Sequence, residues 1–589
     1  MSRCWRRSPV SETRRLRNLS LLADTAARHL AEDPLLLAVQ SARRLPPGVR
    51  GRLAQAVGTG AAGSSVRAAL GAFLADRPAQ AERALASAAP RSAVGRRLAA
   101  ELAVQLGGVS PEVAAQLPPS VRARELWSRG RLHEAVAVLD GVPGAQAQRA
   151  RLRSQLALMS PGFALPPVVP SPARVGPRSD GPTRVLHVLT NSFPHTQSGY
   201  AVRSHAVLRA QRRAGIEVRA VTRIGYPVTV GLVDAAGVDV VDGIDYRRLL
   251  PARLAPTPAA RLVQMTRLLA QQVEDFRPHV LHTTTNFQNA LVTRAVAESY
   301  GLAWVYEMRG VLEQTWVASR PADQQAEALA SERFALLRAK ETEMALAADA
   351  VVALSQVQRE DLIERGVPTQ RIRVVPNAVD DTVLEVPEVS AADARAGLRL
   401  PREGFWVGSV SSLVGYEGFD LLLEAVARCR ANGVDVRCLL VGDGVSRPGL
   451  EARAVELGLG PEVCVLPGRV PPQEAVSWYQ ALDLFCVPRR DTPVCRSVTP
   501  IKPLTAMALG REVLVSDLPA LREVITLGGG DVFPAEDTVA LGTALTAAAG
   551  RARNAVISGQ NGTRPGVPAG LPTWSRNGGI YAALYEELR

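Results

Sequence analysis

The chain has 589 residues, 47% of them hydrophobic, a formal charge of +13 at neutral pH and six cysteines. That length is too great for one core and predicts about three or four domains, while so few cysteines exclude a disulfide scaffold and fit a reducing cytoplasm. The positive charge is spread as arginine through Ala/Arg-rich segments without aromatic interleaving, which argues against nucleic acid and leaves a solvated surface with no partner, an anionic membrane surface or an anionic glycan.

The first 20 residues are basic but no apolar stretch follows them, so no signal peptide is expected, and no segment has the apolar length of a membrane span. A cytoplasmic protein is expected, with or without peripheral association at the inner face of the plasma membrane. Residues 1–160 are rich in Ala, Leu and Arg and read as helices broken at Pro and Gly. The segment 122–141, RARELWSRGRLHEAVAVLDG, resembles a tetratricopeptide-type hairpin turning at Gly130, and 71–90 is a looser parallel. This region is expected to be an independent helical unit, a docking module for a protein partner or a plain bundle. Residues 161–183 are rich in Pro and Gly and read as a mobile linker.

From Arg184 onward buried strands alternate with helices, the order of a parallel α/β sheet. After the strand 184–190 the loop NSFPHTQSGY places His195, Gly199 and Tyr200 before a helix, where Gly199 permits close approach to free helix N–H groups. The strand 279–286 carries His282 and ends in Thr284 and Asn286, the latter a hydrogen-bonding candidate. The strand AWVYEMRG, 303–310, ends in Glu307, Arg309 and Gly310, charges of both signs beside a glycine, which points to a ligand site. In the second α/β region, expected at 381–570 after a first at 184–380, the turn Gly442–Gly444 follows the strand VRCLLV but lacks the further glycines of a dinucleotide fingerprint. The strand LDLFCVP is followed by a loop with Arg489, Arg490, Asp491, Arg496 and Thr499. Lys502 then starts a short helix that ends at Gly510, before the strand REVLVS. Strand, loop, helix and strand form a crossover unit whose loop lies at the ligand-binding edge of the sheet, and its basic residues predict an anion site. Residues 571–589 read as a terminal helix with Ile580, Leu584 and Leu588 on one stripe.

The segment PIKPLTAMALG followed by VLVSDLPALREV resembles the nucleotide-sugar site of the retaining glycosyltransferases of family 4, and YEMRG resembles the YE-x-RG signature of a bacterial branch of that family. The resemblance covers about 184–589 and implies a GT-B fold: two Rossmann-like domains facing across a cleft, with the terminal helix returning to the first. It implies an enzyme moving a sugar from a nucleoside-diphosphate sugar to a hydroxyl of a glycan, lipid or small metabolite, without a cofactor or metal. It places Lys502 against the donor diphosphate, the loop Gly468-Arg469-Val470 beside the nucleobase, and a donor-loop glycine at Gly199. The expected reaction-centre residues are Glu307, Arg309, Thr284 and Asn286, and the expected donor-binding residues add Gly442, Gly444 and Thr505.

Five positions depart from the family's pattern. Thr284 stands where relatives have a histidine, Ser409 and Glu417 where many have an arginine and a lysine, Arg496 or Ser497 near an expected glutamate, and Thr505 where a glutamate binds the donor ribose. On this pattern Glu417 is expected to repel phosphate. The departures keep open a second function, a catalytically degenerate GT-B scaffold or regulator of a glycan pathway. Aldose epimerases that use uridine-diphosphate sugar share the architecture, but their carboxylate and histidine set is not evident here.

Overall fold

The computed structural model describes residues 12–32, 47–58, 65–75, 77–90, 92–107, 117–169, 181–471, 473–557 and 568–589. The chain forms two compact units, one from residues 1–201, 218–306 and 312–348, the other from 202–217, 307–311 and 349–589. Residues 170–180 of the expected linker and residues 558–567 lie outside the described residues.

The first unit begins with helices, among them Pro119–Ser128, Leu132–Ala137 and Gln146–Met159. The first two make the expected hairpin, with Gly130 at φ +83° in the turn and Ala123, Leu126, Ala135 and Leu139 in a shared core with Leu152. The helical region is not independent, which corrects that expectation. Arg131 gives the helix Leu132–Ala137 no side-chain cap, and Glu332 fills the need: its Oε2 accepts from Leu132 N at 2.7 Å and His133 N at 3.0 Å. Lys340 Nζ donates to Phe163 O at 3.1 Å, and Ser154 Oγ accepts from Ala259 N at 2.9 Å. Short helices thus complete their polar groups on the α/β part of the same unit.

That part contains β1 (Arg184–Leu189), β2 (Glu217–Thr222), β3 (Val238–Val241), β4 (Ile244–Arg248), β5 (Val280–Thr284) and β6 (Ala303–Glu307), in the order β3-β4-β2-β1-β5-β6. β1 and β5 pair in parallel and are buried along their whole length, His187 of β1 stacking on His282 of β5. β3 and β4 form an antiparallel hairpin. Its turn is Asp242-Gly243 with φ +49° and +72°, the left-handed pair that an Asp-Gly hairpin turn needs.

The second unit holds the parallel pair β7 (Ala350–Ala353) and β8 (Ile372–Val374). Its larger sheet is built from β9 (Phe405–Val410), β10 (Val436–Val441), β11 (Cys464–Gly468), β12 (Leu484–Val487), β13 (Glu512–Ser516) and β14 (Asp531–Phe533). Those six run in the order β11-β10-β9-β12-β13-β14, with hydrophobic clusters on both faces. The chain moves outward from β9 to β11 and then returns to β12 on the other side of β9. This reversal makes a topological switch point at the carboxyl ends of β9 and β12, where parallel sheets bind ligands.

The terminal helix Trp574–Leu588 buries Trp574, Gly578, Tyr581, Leu584 and Tyr585, so Leu584 of the expected stripe is buried while Ile580 and Leu588 are only partly so. A Cβ on Gly578 would stand 2.6 Å from Ala210 O, so this glycine lets the helix touch the backbone of 202–213 in the same unit.

Candidate functional site

At the switch point the loops after β9 and β12 are in direct contact. Gly418 has φ +70°, and a Cβ there would lie 1.9 Å from Pro488 O, so both its conformation and its space demand glycine. This contact delivers Glu417, only 3% exposed, between two cations. Arg489 forks onto it, Nη2 to Oε1 and Nε to Oε2, each at 3.2 Å, and its Nη1 donates to Val498 O at 3.0 Å. Lys502, at the start of the helix Lys502–Ala508, donates to Glu417 Oε1 at 3.0 Å and to Ser411 Oγ. Lys502 is the more accessible member, its side chain 29% exposed against 4% for Glu417 and 8% for Arg489.

The charges are coupled. Burial alone would raise the Glu417 carboxyl, but Arg489 and Lys502 outweigh it and hold it below its usual range. Burial also disfavours the Arg489 guanidinium, and Glu417 reverses this and raises it. The Lys502 ammonium moves the other way, lowered by burial against the pull of Glu417, with Arg489 adding repulsion. The triad therefore carries one net positive charge. The expectation that Glu417 repels phosphate is corrected: its charge is already matched, and it holds two cations in place.

A second buried network meets this loop. Glu307, at the end of β6 and fully buried, accepts from Arg203 Nε at 2.9 Å and Arg309 Nε at 2.8 Å on Oε1, and from Tyr581 OH at 3.0 Å on Oε2. Arg309 Nη1 also donates to Ser204 Oγ at 2.6 Å. Arg203 reaches Val375 O at 2.9 Å and Asn377 Oδ1 at 2.8 Å, and Asn377 Nδ2 donates to Thr499 O at 2.9 Å. Glu307 and Arg309 thus lie within a buried knot that joins the terminal helix, residues 375–377 and, through Asn377, the segment leading to Lys502.

The other expected donor-binding residues are dispersed around the second unit. A Cβ on Gly442 would come within 1.8 Å of Ser411 O, and one on Gly444 within 2.2 Å of Leu413 O, so these glycines serve loop-to-loop contact beside the triad. Gly468 has φ +88° and lies against Arg447; Arg469 is exposed and Val470 packs on the core. Thr505 is half-buried, one turn after Lys502.

In the first unit Thr284 closes β5, buried, its carbonyl accepting from Asn289 Nδ2 at 3.4 Å. Asn286 caps the helix Phe287–Tyr300, Oδ1 accepting from Gln288 N at 3.2 Å. Gly199 starts the helix Gly199–Arg213 with open space beside it. His195 Nε2 lies 3.0 Å from Asp239 Oδ2, which also accepts from Arg248 Nε at 2.8 Å. Arg248 clamps the loop after β1 through Ser192 Oγ at 2.6 Å and Phe193 O at 2.8 Å.

Sequence reasoning missed Asp239, Arg248, Arg203 and Asn377. The Asp-Gly pair between apolar alternations could have revealed the hairpin that carries the first two. Arg203 shares a helix face with Val207, Ala210 and Gln211, all buried, and a lone arginine on such a face was its only signal. Among the described residues no group of three or more His, Cys, Asp or Glu could hold a metal ion, and no helix is long and apolar enough to cross a membrane.

Residues 198–378 match the family model described as Glycosyl transferase 4-like domain, and residues 404–550 match Glycosyl transferases group 1. These two stretches are glycosyltransferase-like. The chain is 33% identical over 153 residues to a D-inositol 3-phosphate glycosyltransferase of Segniliparus rotundus, covering 25% of this chain and 33% of that protein. It is also 33% identical over 126 residues to a 2-deoxystreptamine glucosyltransferase of Streptomyces kanamyceticus, covering 21% of this chain and 32% of that one. The chain thus spans about a third of the length of these curated relatives. Among solved structures, Anabaena HepE in complex with UDP and glucose has a TM-score of 0.48 at 16% identity, covering 69% of this chain and 100% of that one. Sucrose-phosphate synthase of Thermosynechococcus elongatus has a TM-score of 0.49 at 18% identity, covering 69% and 99%.

Proposed function

We propose that this chain is a GT-B glycosyltransferase of the family-4 type, in the bacterial branch with the YE-x-RG motif, that transfers a sugar from a nucleoside-diphosphate sugar to an acceptor hydroxyl with retention. The observation that carries the reading is the Glu417–Arg489–Lys502 triad at the switch point, inside the stretch that matches group 1 glycosyl transferases.

In the reaction the bond between the donor sugar's anomeric carbon and the diphosphate oxygen breaks, an acceptor oxygen bonds to that carbon, and the hydroxyl proton is lost. Negative charge grows on the leaving diphosphate. Lys502 meets that charge as a compact point cation, and Arg489, held on Glu417, adds to the local positive field. Burial and Arg489 disfavour the Lys502 ammonium, and an arriving diphosphate would stabilise its charged form. Where such protein cations neutralise the leaving diphosphate, the transfer needs no bound metal. The basic chain suits an anionic acceptor or membrane surface, and the hairpin at 119–137 suits a tetratricopeptide-like docking role for the helical region.

The test is transfer or hydrolysis of a panel of nucleoside-diphosphate sugars by the purified chain, read beside nucleotide binding. Turnover of any donor supports the reading. Tight nucleotide binding with no turnover across the panel favours a degenerate scaffold, the function that Thr505 at the ribose position points to.

A further inference from the structure

The first unit contains a cavity of about 330 Å³ whose lining, drawn wholly from that unit, includes Asn286. Trp127 and Gln155 line it from the N-terminal helices, Phe287 and Gln288 from the helix after β5, and Trp316 and Arg333 from the segment after β6. The helix hairpin closes against it: Arg333 N donates to Gly130 O at 3.1 Å, and a Cβ on Gly130 would stand 2.9 Å from the Trp316 ring.

Two polar atoms in this wall lack partners. Arg333 Nε and Gln155 Oε1 are buried, and neither has a hydrogen-bond partner among the described residues. Arg333 forms no ion pair there either; its guanidinium lies 5.2 Å over the Trp316 ring, and Arg320 lies 5.8 Å over the same ring. Burial pushes Arg333 down to about 10, and Arg320 adds repulsion, with no carboxylate to offset either. A buried cation without a counter-ion is unfavourable in the empty protein and is retained where a ligand supplies the missing charge.

We propose that this cavity binds one anionic saccharide unit, a hexuronate or a hexose phosphate, with its ring against Trp127 and Trp316 and its carboxylate or phosphate on Arg333. The volume lies at the small end of ligand pockets, which suits a single ring and excludes a dinucleotide. The aromatic walls suit the apolar face of a sugar ring, and the amides of Gln155 and Gln288 suit its hydroxyls. Arginine, stacked on an indole, presents the planar fork that carboxylate and phosphate oxygens match. The cavity is lined wholly by the first unit, whereas the Lys502 triad belongs to the second, so the two sites can be tested separately.

Calorimetric titration of the full chain with glucuronate and with glucose 6-phosphate tests the proposal and separates the two anion sources, with glucose and inorganic phosphate as controls. At least one anionic sugar should bind saturably, at least tenfold more tightly than glucose or phosphate alone. Arg333→Met should lose at least tenfold in that affinity while melting no lower than wild type, because it removes a cation that has no counter-ion. Arg333→Lys should recover part of the loss. No saturable binding of either anionic sugar, equal affinity in Arg333→Met, or phosphate binding as tightly as the sugar would each overturn the proposal. Uridine diphosphate titrated into the same samples reports on the donor site alone, and its binding should not change with Arg333.

Discussion

Lys502 and Arg489 share one carboxylate oxygen. Glu417 Oε1 accepts from Lys502 Nζ at 3.0 Å and from Arg489 Nη2 at 3.2 Å, so a residue after β9 fixes two cations that come from beyond β12. The position that the family resemblance assigns to a lysine holds an acid, and the positive charge is supplied from the neighbouring loop.

The first prediction concerns the acid itself. Glu417→Gln leaves two cations close together with no counter-charge and should cost about 3 kcal/mol of stability at pH 7. The Glu417 carboxyl lies below its unfolded value, so its contribution is complete above the unfolded pKa of about 4.3 and is lost as pH falls through the lower folded value. Urea unfolding at neutral and acidic pH should show a gap between wild type and Glu417→Gln that closes below about pH 4. A gap independent of pH would show that the carboxylate charge is not what stabilises the triad.

Gly418→Ala should lower stability by about 2 kcal/mol or more, because it places a side chain at φ +70° and drives the β9 loop away from Pro488. The same displacement moves Glu417, so nucleoside-diphosphate affinity should fall together with stability. Full affinity in a folded Gly418→Ala protein would detach the triad from binding.

Glu307 offers a distinction between structural and chemical roles. Tyr581→Phe removes a hydrogen bond to its buried carboxylate and should cost about 1.5–3 kcal/mol in chemical denaturation. Glu307→Gln should destabilise the protein at least as much. A Glu307→Gln protein of wild-type stability that loses turnover would show that the carboxylate acts on substrate instead.

Much of the fold was legible because parallel strands buried on both faces carry continuous apolar runs, as in VRCLLV and LDLFCVP, and their boundaries matched within about two residues. The place of Lys502 at a helix start was also legible, since it follows from local order alone. The state of Glu417 was not. Its partners, Arg489 and Lys502, are 72 and 85 residues away in sequence, and only the switch in strand order brings them together. Arg203 and Glu307 are hidden for the same reason, being joined across 104 residues. The terminal stripe was misplaced because two sets of positions share helical spacing, and the aromatics 574, 581 and 585 are buried in preference to Ile580 and Leu588.

The most direct measurement is calorimetric titration of wild type and Lys502→Ala with a nucleoside diphosphate and with the corresponding nucleoside. Loss of the ammonium should weaken the diphosphate by about 1.5–3 kcal/mol, the range for a hydrogen bond to a charged group, and barely change the nucleoside. Equal diphosphate affinities, with unchanged circular dichroism, would remove Lys502 from the donor site and contradict the account.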